Sequence, residues 1–284
     1  MGVRAVMRSL EGATALEPAA AWLSGKLGTV FANRGLKDVL SGSWLGHPLH
    51  PVLTDLPVGA LTAATILELV GGEDADSAVD ALTVLGLLSV APAALSGASD
   101  WVDTVDRERR VGLVHAMANT GAATLYMASL LSRRGGSRGR GRLFSLLGAG
   151  ALSVGGYAGG HLVFARGIGV DHTVFDEPPS EWTRVARDGD VAEETPVAAS
   201  AGGYQVMLYR RDEEVFALAD RCTHAGGPLS EGEVDDDLCV TCPWHGSRFR
   251  LADGSIVHGP ATAQQPSLEA RVHDGHVEVR SRPS

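Results

Sequence analysis

The chain has 284 residues and a formal net charge of −10, with a mean hydropathy of +0.05; the length accommodates one large or two ordinary domains. The acidity is uneven, since residues 181–284 carry eighteen Asp and Glu against ten Lys and Arg, while residues 1–180 carry sixteen against fourteen. No basic face is available to neutralise phosphates, which excludes nucleic acid as a partner. Three cysteines are too few for a disulfide framework, and neither a cleavable signal peptide nor a twin-arginine signature is visible at the N-terminus.

Residues 1–46 read as an N-terminal interfacial segment. Within it, Leu16 to Leu40 mixes apolar residues with Lys26, Arg34 and Lys37, a pattern expected of one or two helices lying at a membrane surface. Four apolar stretches follow, at about Val52 to Val70, Ala81 to Ala98, Val111 to Leu131 and Leu143 to Ala165. Each is close to the ~20 residues that cross the hydrocarbon layer. They lack the polar stripe of a soluble amphipathic helix, and Trp44 and Trp101 lie near their ends, as interfacial aromatics do. Residues 47–166 are therefore expected to form an all-α bundle of four transmembrane helices, multi-pass in the plasma (inner) membrane of a bacterium. In the fourth stretch Gly155-x-x-x-Gly159 and Gly156-x-x-x-Gly160 offer faces for close helix packing.

The connecting segments are polar: 71–80 is acidic, 100–110 is densely charged, and 132–142 carries five arginines. Four spans place both termini on one side, where Lys26, Arg34, Lys37, Arg107, Arg109, Arg110 and Arg166 gather. The positive-inside rule then leans toward cytoplasmic termini, although the arginine loop pulls the other way.

Depth in an antiparallel bundle collects polar groups at one face. His47 and His50 precede the first span, Asp55 lies in its opening turn, and Asp100 follows the second. His115 and His161 each lie about 6 Å inside the same face, at ~1.5 Å of rise per residue. Ionisable groups within a span are costly and are usually functional or paired. Two readings stand: histidines bonded to helix ends, or a second cofactor site in which His47, His50, His115 and His161 hold haem or a metal, or line a quinone pocket. The run Gly46-His47-Pro48-Leu49-His50-Pro51, with Asp55-Leu-Pro57 after it, resembles the signature of a four-helix bacterial membrane family of uncharacterised activity, over roughly residues 45–170.

Residues 167–180, with Gly, Asp and two adjacent prolines, read as a linker. From 181 the pattern turns to short β-type runs: Gln205 to Tyr209, Glu214 to Ala219, Leu238 to Thr241, Leu268 to Val272 and His276 to Arg280, with Asp274-Gly275 as a two-residue hairpin turn. Residues 181–284 are thus expected to be a small antiparallel all-β domain. Within it stand Cys222-x-His224 and Cys242-x-x-His245. Two short Cys/His pairs in two loops can hold one metal centre, and two chemistries fit: structural zinc, or a two-iron, two-sulfur cluster with two cysteines on one iron and two histidines on the other. Cys239, in the run Leu238-Cys-Val-Thr241, reads as a buried strand residue. His258, His273 and His276 lie outside both loops and read as surface residues, and His172 falls in the linker.

The flanking residues Cys222-Thr-His224-Ala-Gly226-Gly227-Pro228-Leu229 and Cys242-Pro-Trp-His245-Gly246-Ser-Arg-Phe249 resemble the Rieske family in ligands, spacing and surrounding glycines and prolines. The resemblance implies one [2Fe-2S] cluster per chain, with Cys222 and Cys242 as thiolate ligands and His224 and His245 as imidazole ligands. The sequence departs from the high-potential members of respiratory quinol-oxidising complexes. Gly227 and Trp244 stand where those carry a loop-bridging disulfide, and Phe249 stands where they carry a Tyr donor, although Ser247 is retained. Fewer hydrogen bonds to the cluster sulfurs imply a lower, ferredoxin-like potential. Three functions follow as expectations: membrane-anchored one-electron transfer with a redox partner protein or a membrane quinone; a redox-sensing or assembly role with a purely anchoring membrane part; and an electron-feeding component of an oxygenase system. No self-contained enzyme is expected.

Overall fold

Apolar helices and then short alternating strands divide the chain, as the computed structural model shows for residues 2–282. Two compact units result. The first comprises Met1–Ala32 and Leu49–Ile168, the second Asn33–Pro48 and Gly169–Ser284. Residues 33–48 therefore belong with the β unit, although in the sequence they adjoin the helical one.

In the first unit α1 (Val3–Glu11) and α2 (Glu17–Val30) precede four long helices, α4 (Leu49–Val70), α5 (Asp76–Trp101), α6 (Asp106–Arg134) and α7 (Arg138–Arg166). Short connections make neighbours antiparallel; α4 packs on α5 and α6 on α7, and contacts of α5 with α6 and α4 with α7 close the bundle. Its polarity runs from inside to outside. Thr65, Thr83, Ser96, Ser99, Ser129 and Ser145 are buried, while Ile66, Leu88, Leu95, Leu147 and Val154 are exposed. That is the arrangement of helices solvated by lipid, which associate through small residues and hydrogen bonds rather than by hiding apolar surface.

Among the described residues, three helical segments are long and apolar enough to cross a membrane: Leu49–Val70, Glu73–Trp101 and Arg138–Arg166. The expected span at Val111 to Leu131 is a helix but falls short in apolarity, which corrects the count of four. α6 is flanked by α1, α2, α5 and α7; His115 and Asn119 in its middle are partly buried, whereas Thr120 and Thr124 are exposed, with the Thr124 hydroxyl bonded to the Thr120 carbonyl at 2.8 Å.

Among the close approaches at glycines within the bundle, four form a pattern. A Cβ on Gly86 would stand 2.6 Å from Leu61, and one on Gly97 2.6 Å from His50; Gly148 meets Tyr126 at 3.0 Å and Gly159 meets His115 at 2.9 Å. These contacts repeat. His50 and Leu61 on α4 are eleven residues apart, as are Gly86 and Gly97 on α5; His115 and Tyr126 on α6 and Gly148 and Gly159 on α7 share the same spacing. The α4–α5 and α6–α7 hairpins are thus two copies of one large-into-glycine pattern. At the far end Arg133 binds Asp80 at 2.8 Å, Glu68 at 3.2 Å and Ser129 at 2.6 Å, and the Tyr126 hydroxyl lies 2.7 Å from that of Thr65.

The second unit carries α3 (Arg34–Ser41) and ten strands: β1 (Thr183–Arg187), β2 (Val197–Ala201), β3 (Tyr204–Arg211), β4 (Glu214–Ala219), β5 (Glu233–Val234), β6 (Cys239–Thr241), β7 (Arg248–Arg250), β8 (Ile256–His258), β9 (Ser267–His273) and β10 (His276–Ser281). They form a six-stranded antiparallel sheet in the order β1-β10-β9-β4-β3-β2 and a four-stranded one, β5-β6-β7-β8. Asp274 and Gly275, both at positive φ, turn β9 into β10 with His273 opposite His276. Met207, Leu218, Leu229, Val240, Phe249 and Leu251 form one core, and Val206, Leu208, Leu268, Val277 and Val279 another. All five expected runs are strands; β1, β2, β5, β7 and β8 were not anticipated, being short or weakly alternating.

Candidate metal centre

Cys222 lies between β4 and β5 and Cys242 between β6 and β7, and the chain makes the same turn at both. The Cys222 carbonyl accepts from Gly226 N–H at 2.8 Å, and Cys222 N–H donates to Gly227 at 2.9 Å; Cys242 repeats this with Gly246 at 3.0 Å and Ser247 at 2.8 Å. Gly226 (φ +79°) and Gly246 (φ +76°) occupy the left-handed position that closes each turn. Inside, the sulfur of Cys222 accepts backbone N–H groups of His224 and Ala225, and that of Cys242 those of Trp244 and His245. Both cysteines are buried, while His224 and His245 are only partly buried, with ring centroids 5.0 Å apart and planes at 85°.

Neighbouring segments brace the loops. Gln265, fully buried, donates to the carbonyls of Ala219 and Arg221, both at 2.8 Å, and accepts from Thr223 N–H at 3.1 Å. Gly254, at φ +73°, permits this: a Cβ there would lie 1.8 Å from the Gln265 carbonyl oxygen. The Ser247 hydroxyl accepts from Ala261 N–H at 2.9 Å. His172 N–H donates to the Thr223 carbonyl at 3.0 Å. From α3, Asp38 binds His258 Nδ1 at 2.8 Å and Gly259 N–H at 2.7 Å. His258 is therefore a hydrogen-bond partner of α3 rather than a simple surface residue. Gln265, His172 and Asp38 gave no signal in the sequence because each acts through contacts distant along the chain.

The electrostatics suit a metal. His224 is pushed down to about 3, chiefly by burial, with the charges of His245, Lys37 and His172 adding to it, so its imidazole is neutral, the form in which histidine ligates a metal. Cys242 is pushed down to about 7 by the bond it receives from Cys222, whose own pKa is raised by donating that bond and by burial. Gly227 and Trp244 are in contact: a Cβ on Gly227 would stand 2.8 Å from the indole and 3.1 Å from Cys242 Sγ. Trp244 thus covers the loop pair at the point where a bridging disulfide was expected to be missing. Cys239 is buried on β6.

The donor set fits a two-iron group: two buried thiols, two partly buried imidazoles, and backbone N–H groups directed at sulfur. Cys222 and Cys242 are joined by a hydrogen bond, and His224 faces His245 with ring centroids 5.0 Å apart.

In the helical unit His50 Nδ1 lies 2.9 Å from the Ala93 carbonyl and His115 Nδ1 2.8 Å from that of Gly155. Their ring centroids are 6.2 Å apart. His161 is instead tied to Glu11 at 2.7 Å, and His47, in the second unit, is exposed beside the Pro48 carbonyl at 3.1 Å. Of the four histidines, His50 and His115 meet and His161 is engaged elsewhere; Asp55 is exposed.

Comparison with known proteins agrees with this division. The Rieske [2Fe-2S] domain family matches residues 181–269, and the predicted membrane protein family DUF2231 matches 46–172. The anthranilate 1,2-dioxygenase ferredoxin subunit of Burkholderia cepacia is 34% identical over 35% of this chain and 92% of its own, and ferredoxin CarAc of Metapseudomonas resinovorans is 31% identical over 34% and 92%. The structure of the carbazole 1,9a-dioxygenase ferredoxin from Nocardioides aromaticivorans aligns with 26% identity and a TM-score of 0.35, over 36% of this chain and all of that one. The chain belongs to the Rieske [2Fe-2S] ferredoxin family through its C-terminal domain, which follows a DUF2231 membrane domain.

Proposed function

We propose that this is a membrane-anchored one-electron carrier in which Cys222 and Cys242 hold one iron of the cluster and His224 and His245 the other. The observation that carries this is the repeated turn, which directs two backbone N–H groups at each cysteine sulfur and leaves both imidazoles near the surface. The cluster supplies one-electron redox chemistry when bound. The chain's own residues do the rest: Gln265 and Ser247 fix the loops, Trp244 shields the sulfur side, and the histidine edge is the shortest route for an electron to a docked partner. The named ferredoxin subunits of dioxygenases make an oxygenase-type acceptor one partner class, with a redox protein or membrane quinone as the other. We assign the chain to a bacterial plasma membrane with the Rieske domain on the cytoplasmic side, on the arginine distribution.

Phe249 is fully buried and offers no donor where a Tyr would. Fewer donors leave the reduced cluster less stabilised, so the midpoint falls in the lower part of the Rieske range of about −150 to +300 mV. Iron and sulfide analysis of the detergent-purified chain, followed by an EPR-monitored titration, tests the reading. Two irons and two sulfides per chain are expected, as is their loss in Cys222→Ser and Cys242→Ser. A midpoint well above about +200 mV would overturn the ferredoxin-like assignment, and bound zinc without sulfide would overturn the cluster ligation.

A further inference from the structure

The two helical hairpins repeat more than their packing. In each, a histidine on the first helix places Nδ1 within hydrogen-bond distance of a carbonyl on the second, His50 to Ala93 and His115 to Gly155. In each, the glycine four residues beyond that carbonyl, Gly97 or Gly159, is the slot against which the ring lies. The non-histidine positions have diverged, Leu61 against Tyr126 and Ala93 against Gly155, yet the histidine is present in both copies.

A carbonyl only accepts, so Nδ1 carries the proton in both rings and Nε2 presents a lone pair. An Nδ1–H held by a backbone carbonyl is the outer-shell arrangement that orients a metal-ligating histidine. Asn119 Nδ2 sits 3.3 Å from both nitrogens of His115 while donating to that residue's own carbonyl at 3.0 Å; with the proton on Nδ1 it can donate only to Nε2, and a metal bound there takes the place of that contact. The ring centroids are 6.2 Å apart and the planes are at 82°. Two imidazoles bound on opposite sides of one metal put their centres about 6 Å apart, given metal–nitrogen bonds of about 2 Å, and their planes can stand perpendicular.

We propose that the α4–α7 bundle holds a transition-metal centre ligated by Nε2 of His50 and of His115. Since no third His, Cys, Asp or Glu joins them among the described residues, the remaining coordination comes with the metal, and haem iron is the form that needs only two protein ligands. The centre does not depend on the Rieske cluster.

The test uses the full chain, expressed with 5-aminolevulinate supplied and purified in mild detergent, with haem and total metals both quantified. One haem per chain with a low-spin bis-imidazole spectrum is expected, unchanged by Cys222→Ser, which removes the cluster. His50→Ala and His115→Ala should each lose that spectrum or turn it high-spin, and added imidazole should restore it, a rescue that a merely structural histidine would not show. His161→Ala should leave it intact. One equivalent of a non-haem metal, lost in both variants, would support the ligation and identify a bare ion as the form. No metal beyond the cluster iron in the wild-type chain, or a spectrum unaltered in both histidine variants with helical circular dichroism retained, would overturn the proposal.

Discussion

The cluster loops and the helical bundle each bring two histidines together by repeating one local arrangement, but over very different distances along the chain. In the β unit the repeated object is a six-residue turn, closed by its own backbone hydrogen bonds and a glycine at positive φ. In the bundle it is a pair of helices, and the repeat appears only where a side chain of one meets a glycine of the other. A turn states its geometry in contiguous residues. A hairpin slot distributes it over two faces of helical period, where glycine and leucine are common for other reasons.

The contrast can be broken most sharply at Cys242. Cys242→Ser should abolish cluster assembly altogether, as read by visible absorption and iron content, and leave the helical content of the bundle unchanged. A bundle that unfolds with it would mean the two units are not separately stable. Next comes Gly254→Val. Its side chain would collide with the Gln265 backbone in a conformation that disfavours L-residues, and should destabilise the β unit by about 3 kcal/mol or more in denaturant titration. Arg133→Met in the bundle leaves Glu68 without its buried counterion (Arg133 side chain 5% exposed) and should cost about 3 kcal/mol in detergent unfolding. An effect under about 1 kcal/mol would show that the charges there are already relieved by water.

Smaller effects sharpen the comparison. Asp38→Ala removes the partners of His258 and Gly259 N–H and should lower β-unit stability by about 1–2 kcal/mol, detectable as faster proteolysis around α3. Tyr204 has a buried hydroxyl that makes no hydrogen bond among the described residues, and its pKa is raised from 10.0 to about 12, mainly by burial. The folded state keeps this proton longer than the unfolded chain does. Its contribution is therefore intact below pH 10 and lost as pH rises through about 12. Tyr204→Phe should be neutral or stabilising by within about 1 kcal/mol at pH 7 and should flatten that alkaline loss; an unchanged alkaline slope would assign the titration to another group.

The Rieske domain and the two turns that carry Cys222-x-His224 and Cys242-x-x-His245 were legible beforehand because the motifs and their glycines are local, and local backbone chemistry constrains few residue types. What was not legible reaches the loops from a distance. Gln265 stands among small neutral residues, His172 was read as linker, and Asp38 lies some 220 positions from His258. In the membrane domain, depth alone grouped His47, His50, His115 and His161, since the rise per residue tells how deep a side chain lies but not which way around the helix it points. The polar middle of α6, read as a fourth span, went unrecognised for the same reason: His115 and Asn119 turn toward α7, where Gly159 and Gly155 meet them.

The sequence by itself determined the order of the two domains and the presence of two short Cys/His pairs in the second. These depend on hydropathy, spacing and residue identity, all of which are contiguous properties. Only the tertiary structure decided that Trp244 covers Gly227, that α3 belongs to the cluster unit, and that His50 and His115 face each other while His161 is engaged by Glu11. Each of these is a matter of azimuth and packing, which one-dimensional pattern leaves open and close-packed side chains settle.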